Sequence, residues 1–130
     1  MNRVEDIINL KTRLNLLEED ATYEKQLSWY RHACDSGLVE TLYKDDELLG
    51  FLEWVRVNAI PKNMRNIPLN FETIKTAPIL LVCNACAIEE GVLHKLRMIV
   101  INKNKDAEFF CWYRKKNNII KVYKNIRRKI

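Results

Sequence analysis

The chain has 130 residues, 48% of them hydrophobic and 30% charged, with a formal net charge of +5. That length suits one domain with its own core, and that composition excludes an intrinsically disordered chain. No apolar run approaches the ~20 residues of a membrane-spanning helix, so no membrane partner is expected.

The N-terminus, MNRVEDIINL, is charged and helical in pattern, unlike a signal peptide. A cytoplasmic protein is expected. Of the four cysteines, three sit inside apolar segments and read as buried thiols without disulfides.

Residues 3–19 place Val4, Ile7, Ile8, Leu10, Leu14 and Leu17 at mostly helical spacing, which predicts an amphipathic helix. Asp20-Ala21-Thr22 breaks it, and Thr22 is placed to cap a second helix over 23–36, with Leu27, Tyr30 and Cys34 on one face. Gly37 is placed to end that helix in the left-handed conformation. Residues 38–60 then read as an antiparallel hairpin, turning at Lys44-Asp45-Asp46-Glu47. Gly50 inside its second strand predicts a bulge or a close backbone approach.

Residues 61–77 carry two prolines and three asparagines and read as a loop. The stretch PILLVCNACAIEEGVLHKL follows. Its apolar run over 78–88 predicts a strand buried on both faces, and residues 91–101 predict a helix with Val92, Leu93, Leu96, Ile99 and Val100 inward. A strand passing so directly into a helix has the layout of a nucleotide or coenzyme cradle, because the first helical N–H groups and the helix dipole face an anion. Residues 107–113 read as another strand. Asn117-Asn118 suits a hairpin turn into a last strand over 119–123; the alternative is a helix capped by Asn118 and running to residue 128.

These readings predict an α/β (α+β) domain over 1–130, with a mixed, mainly antiparallel sheet flanked by helices. Two helices occupy 1–37, a hairpin 38–60, a loop 61–77, a strand–helix–strand unit 78–113, and a basic segment 114–130. The order of elements, the phrase DDELLGFLEW and the strand-to-helix turn resemble the GNAT superfamily of N-acetyltransferases. The resemblance spans residues 1–124 by order and is specific at 47–52 and 79–96. It implies an acyl-coenzyme-A-dependent N-acetyltransferase-like protein that binds acetyl-CoA through Ala87, Ile88, Gly91, Val92, Leu93 and His94, and transfers to a small-molecule or peptide amine.

It also implies backbone N–H groups near 85–88 for the thioester carbonyl, Glu53 as the base, and Tyr113 or Tyr123 as the acid for the leaving thiolate. The family loop, Arg/Gln-x-x-Gly-x-Gly/Ala, is reduced here to Ala87-Ile88-Glu89-Glu90-Gly91-Val92-Leu93. The arginine or glutamine is missing and one glycine remains. The first family strand and two C-terminal strands are also missing, as in a compact or catalytically degenerate member.

Cys83-Asn84-Ala85-Cys86, with Cys111 and His94 or His32, matches part of a zinc pattern. Strand positions three apart face opposite ways and no turn is present, so no metal is expected. The charge is uneven. Residues 1–108 hold 14 Lys/Arg against 17 Asp/Glu, whereas residues 109–130 hold 8 Lys/Arg and no acid. Beside Trp112, Tyr113 and Tyr123, the cations Arg114, Lys115, Lys116, Arg127 and Arg128 support an alternative function, a non-enzymatic protein binding nucleic acid or another partner along this edge. The charge also suits a solvated edge that resists aggregation. A monomer, or a homodimer through an exposed strand edge, is expected.

Overall fold

The computed structural model describes residues 3–14, 16, 22–60, 76–114 and 119–125. Among these described residues three helices, α1 (Arg3–Arg13), α2 (Tyr23–Asp35) and α3 (Glu90–Lys103), accompany five strands: β1 (Val39–Lys44), β2 (Glu47–Val57), β3 (Ile79–Ala87), β4 (Phe109–Arg114) and β5 (Ile119–Lys124). The strands form one mixed sheet in the order β1-β2-β3-β4-β5, antiparallel at β1–β2 and β4–β5 and parallel at β3–β4. The loop over 61–77 lies outside the described residues except at its last two positions. The chain divides into two compact units, residues 1–53 with 85–98 and residues 54–84 with 99–130.

In the first unit α1 is shorter than the periodicity predicts. The Leu16 N–H bonds back to the Lys11 carbonyl at 2.8 Å, a bond spanning five residues that ends a helix. Leu16 is left 48% exposed, and residues 15 and 17–21 lie outside the described residues. Thr22 caps α2 as expected, its hydroxyl accepting the Lys25 N–H at 3.1 Å. Gly37, at φ 72°, ends α2. Its N–H bonds to Cys34 and that of Leu38 to Ala33, the paired bonds of a Schellman motif. Ile7, Ile8, Leu10, Tyr30, Ala33, Val39, Leu48, Phe51 and Cys86 form the core, with the Tyr30 and Phe51 rings edge-on at 5.7 Å.

In the second unit Ile79–Val82 are all buried, as a strand covered on both faces requires. They pair in register with Phe109–Trp112. Residues 119–124 form a strand, which removes the helical alternative. They pair along their whole length with β4, whereas an isolated helix this short would be marginal in water. Asn125 fastens the hairpin: its N–H donates to Glu108 at 2.9 Å and its side-chain amide to Lys105 and Ala107 at 3.1 and 2.8 Å.

Candidate functional site

The turn between β3 and α3 is fixed by the β2 bulge. Leu42 faces Gly50 while Tyr43 faces Leu48, so Leu49 is the extra residue. Its carbonyl accepts the Ile88 N–H at 2.9 Å. Beside it, a Cβ on Gly50 would stand 2.8 Å from Val92 Cγ1 and 3.0 Å from both Ala87 Cβ and the Cys86 carbonyl oxygen. Only glycine lets the hairpin approach the turn this closely.

The Leu93 N–H bonds to the Glu89 carbonyl at 3.4 Å, which makes Glu89 the capping position. The N–H groups of Glu90, Gly91 and Val92 precede that bond and have no intrahelical acceptor. Val92 is buried, whereas Gly91 and His94 are exposed and Ala87 and Leu93 half-buried. Among the described residues, and outside its own helix backbone and chain neighbours, a Gly91 side chain would meet Glu89 Oε1 at 4.0 Å. Glu90 turns along the helix to Arg97, Oε1 to Nη1 3.2 Å. N–H groups at a helix N-terminus are donors of the kind an anion takes. The charges fit it poorly: no lysine or arginine stands in 87–93, and the Glu89 carboxylate opposes a second negative group.

Glu53 is buried on β2, 6% exposed. Its Oε2 accepts the Trp29 indole N–H at 3.0 Å. Lys11, 3% exposed, donates from Nζ to the Tyr30 hydroxyl at 2.8 Å. Burial pushes the Lys11 pKa down, against the pull of Cys86 and Glu53. Burial pushes the Cys86 thiol up, partly offset by Lys11 and Arg13. This buried polar group was invisible to hydrophobic periodicity, which treats Lys11 as a surface position of α1. The signal was available: Lys11 lies three and four residues after Ile8 and Ile7, on their face.

Tyr113 and Tyr123 lie in the second unit. Tyr113 pairs with Ile120 and Tyr123 with Phe110, so the two phenols stand on opposite faces of the β4–β5 ribbon and are not brought together. Tyr113 is half-buried and Tyr123 55% exposed. Arg114 is exposed at the end of β4; Lys115, Lys116, Arg127 and Arg128 lie outside the described residues. The four cysteines are free thiols, and among the described residues no three His, Cys, Asp or Glu side chains gather as metal ligands. No described helix is long and apolar enough to cross a membrane.

An open cleft of about 220 Å³ lies between α1 and the hairpin turn, lined by Asp6, Asn9, Arg13, Asp46 and Glu47 over Leu10 and Leu48. Arg13 pairs with Glu47 at 3.0 Å. The Tyr43 hydroxyl donates to Asp6 at 2.8 Å, and burial together with that bond raises the Tyr43 pKa. None of the sequence-predicted site residues lines this cleft.

No protein-family profile and no curated protein matches the chain. Among solved structures it is similar to a "putative acetyltransferase" from Staphylococcus aureus Mu50. The identity is 16% and the TM-score 0.56, over 86% of this chain and 74% of that one. The likeness is one of fold. Among the described residues that fold is a mixed α/β arrangement of a five-stranded sheet and three helices.

Proposed function

We propose that this chain is an N-acetyltransferase-like protein that takes an acyl-coenzyme A at the β3–α3 turn and has lost efficient turnover. The observation that carries the reading is the clamp on that turn. The Ile88–Leu49 bond and the Gly50 approach hold the first turn of α3 with Gly91 on an open surface. The N–H groups of Glu90, Gly91 and Val92 would hold one phosphate of the coenzyme. When bound, the coenzyme would supply an acyl group activated as a thioester.

The loss of turnover follows from what surrounds the reaction groups. Glu53 is buried against Trp29, so in this reading it serves the core instead of taking a proton from an incoming amine. The Ile88 N–H already has an acceptor and is not offered to a thioester carbonyl. The two tyrosines occupy opposite faces of one ribbon, so at most one reaches any single site.

The test is a titration with acetyl-CoA followed by melting temperature, with amine acetylation measured alongside. A ligand at 100 times its Kd adds about 2.7 kcal/mol of stability. Stabilisation without acetyl transfer to free amines or lysine peptides is expected. No stabilisation at millimolar coenzyme would overturn coenzyme binding, and turnover at an ordinary enzymatic rate would overturn the loss of activity. Glu89→Gln is expected to tighten binding, because it removes the carboxylate nearest the anion.

A further inference from the structure

The second unit ends in an edge that is apolar, cationic and hydrogen-bonding at once. Among the described residues β5 is the last strand of the sheet. Ile119, Val122 and Tyr123 on it are 48%, 49% and 55% exposed. Its backbone orientation follows from one bond. The Asn125 N–H donates to the Glu108 carbonyl, and in an antiparallel ladder the orientation repeats every second residue. Tyr123, Lys121 and Ile119 therefore turn their N–H and C=O toward β4, whereas Lys124, Val122 and Ile120 turn theirs outward.

We propose that β5 accepts an extended, acidic segment of a partner protein as a sixth strand. The outward groups of Ile120, Val122 and Lys124 supply the main-chain bonds of such an addition. Each face of β5 presents both apolar and cationic contacts: Ile119, Lys121 and Tyr123 on one side, Ile120, Val122 and Lys124 on the other. An incoming strand of alternating aliphatic and carboxylate residues meets both kinds. Charge selects the occupant. Every charged residue from 109 onward is Lys or Arg, so a second β5 edge is repelled and an acidic strand attracted. Nucleic acid would satisfy the cations but not the outward N–H and C=O groups spaced along the strand.

The experiment uses the full chain, a synthetic peptide of alternating valine and glutamate, its valine–lysine counterpart, and a single-stranded DNA. Amide hydrogen exchange resolved by residue is the readout. In the free protein the amides of Ile120, Val122 and Lys124 exchange fast and those of Lys121 and Tyr123 slowly. The valine–glutamate peptide slows exchange at 120, 122 and 124. The double variant Lys121→Glu/Lys124→Glu weakens that peptide about tenfold. Val122→Pro removes an outward donor and abolishes the protection, with melting of the free variant confirming that the hairpin persists. Overturning results are equal binding of the valine–lysine peptide, preference for DNA without amide protection, slow exchange at 120, 122 and 124 in the free protein through self-association, or no binding by any probe, which would leave the lysines as guards against aggregation.

Discussion

Lys11 in the first unit and Arg56 in the second are equally buried, each 3% exposed. Their surroundings differ. Lys11 donates to the neutral Tyr30 hydroxyl, with its Nζ 5.4 Å from the ring centre, and Glu53 acts on it electrostatically. Arg56 donates from Nε at 2.8 Å, and also from Nη2, to the Ala77 carbonyl. Its other bonds reach Asn104 at 3.2 Å and both carboxylate oxygens of Asp106 at 3.0 Å. The contrast follows the two head groups. An ammonium relieves burial by giving up its proton; a guanidinium keeps its charge and needs its fork of donors filled.

The largest expected effect is therefore at Arg56. Replacing it with alanine leaves the Ala77 carbonyl and the Asn104 amide oxygen without their donors, while Asp106, 66% exposed at its side chain, returns to water. The cost is about 3 kcal/mol, a fall of about 10 °C in melting temperature for a chain of this size. Arg56→Lys is expected to recover less than half of it, because one ammonium does not span three acceptors. Equal stability of the lysine variant would remove the distinction between the two burials.

The next effect is in the first unit. Gly50→Ala places a methyl 3.0 Å from the Cys86 carbonyl and 2.8 Å from Val92. Overpacking against backbone costs about 2 kcal/mol, and the start of α3 must move to relieve it. Denaturant unfolding reads the cost, and a weaker response to acetyl-CoA reads the displacement. A variant as stable as the parent would show that the turn is not clamped there.

The strands, the parallel crossover and the Gly37 cap were legible because each leaves a local mark: a doubly apolar run, a helix between two strands, a glycine after an amphipathic face. Gly50 was marked as well, though only the structure shows that bulge and close approach occur together. Arg56 was not legible, and the burial of Lys11 was signalled only by its place on the face of Ile7 and Ile8. Each sits inside an element whose pattern is satisfied without it, and its partners are distant in sequence: Arg56 with Asn104 and Asp106, Lys11 with Tyr30. The candidate site shows the same division. The turn proposed to hold an anion is local and was readable, whereas the hydrogen bond of Glu53 is to Trp29, 24 residues away.

Lys11 carries a pH signature. With its pKa depressed by burial, the folded protein binds fewer protons than the unfolded chain between the folded value and the ordinary ~10.4. Stability attributable to Lys11 thus rises with pH across that window. The thiols of half-buried Cys34 and buried Cys86 and Cys111, raised by burial, act the other way. Their contribution is complete below ~8.5 and is lost as pH climbs through the folded values. Lys11→Met removes the first trend and keeps the second, with the Cys86 thiol pushed further up once Lys11 no longer offsets its burial. Urea midpoints of both proteins from neutral to alkaline pH are expected to show the stability gained by Lys11→Met shrinking as pH rises; a constant gap would mean that Lys11 stays charged throughout.

The smallest effect is expected from Glu53→Gln, which keeps an acceptor for the Trp29 indole and removes only the charge. The loss should stay under about 1 kcal/mol, whereas Glu53→Leu, which strands the indole N–H in the core, should cost about 2 kcal/mol. The glutamine variant is the more informative of the two. If it melts far below the parent, the Lys11–Glu53 attraction is a principal support of the first unit, and the two buried cations resemble each other more than their hydrogen bonds suggest. If it melts close to the parent but abolishes a measurable acetylation, Glu53 is the base after all and its burial opens in the presence of substrate. Near-parental stability with no transfer in either protein is the outcome expected of a carboxylate whose work is to receive the Trp29 hydrogen bond.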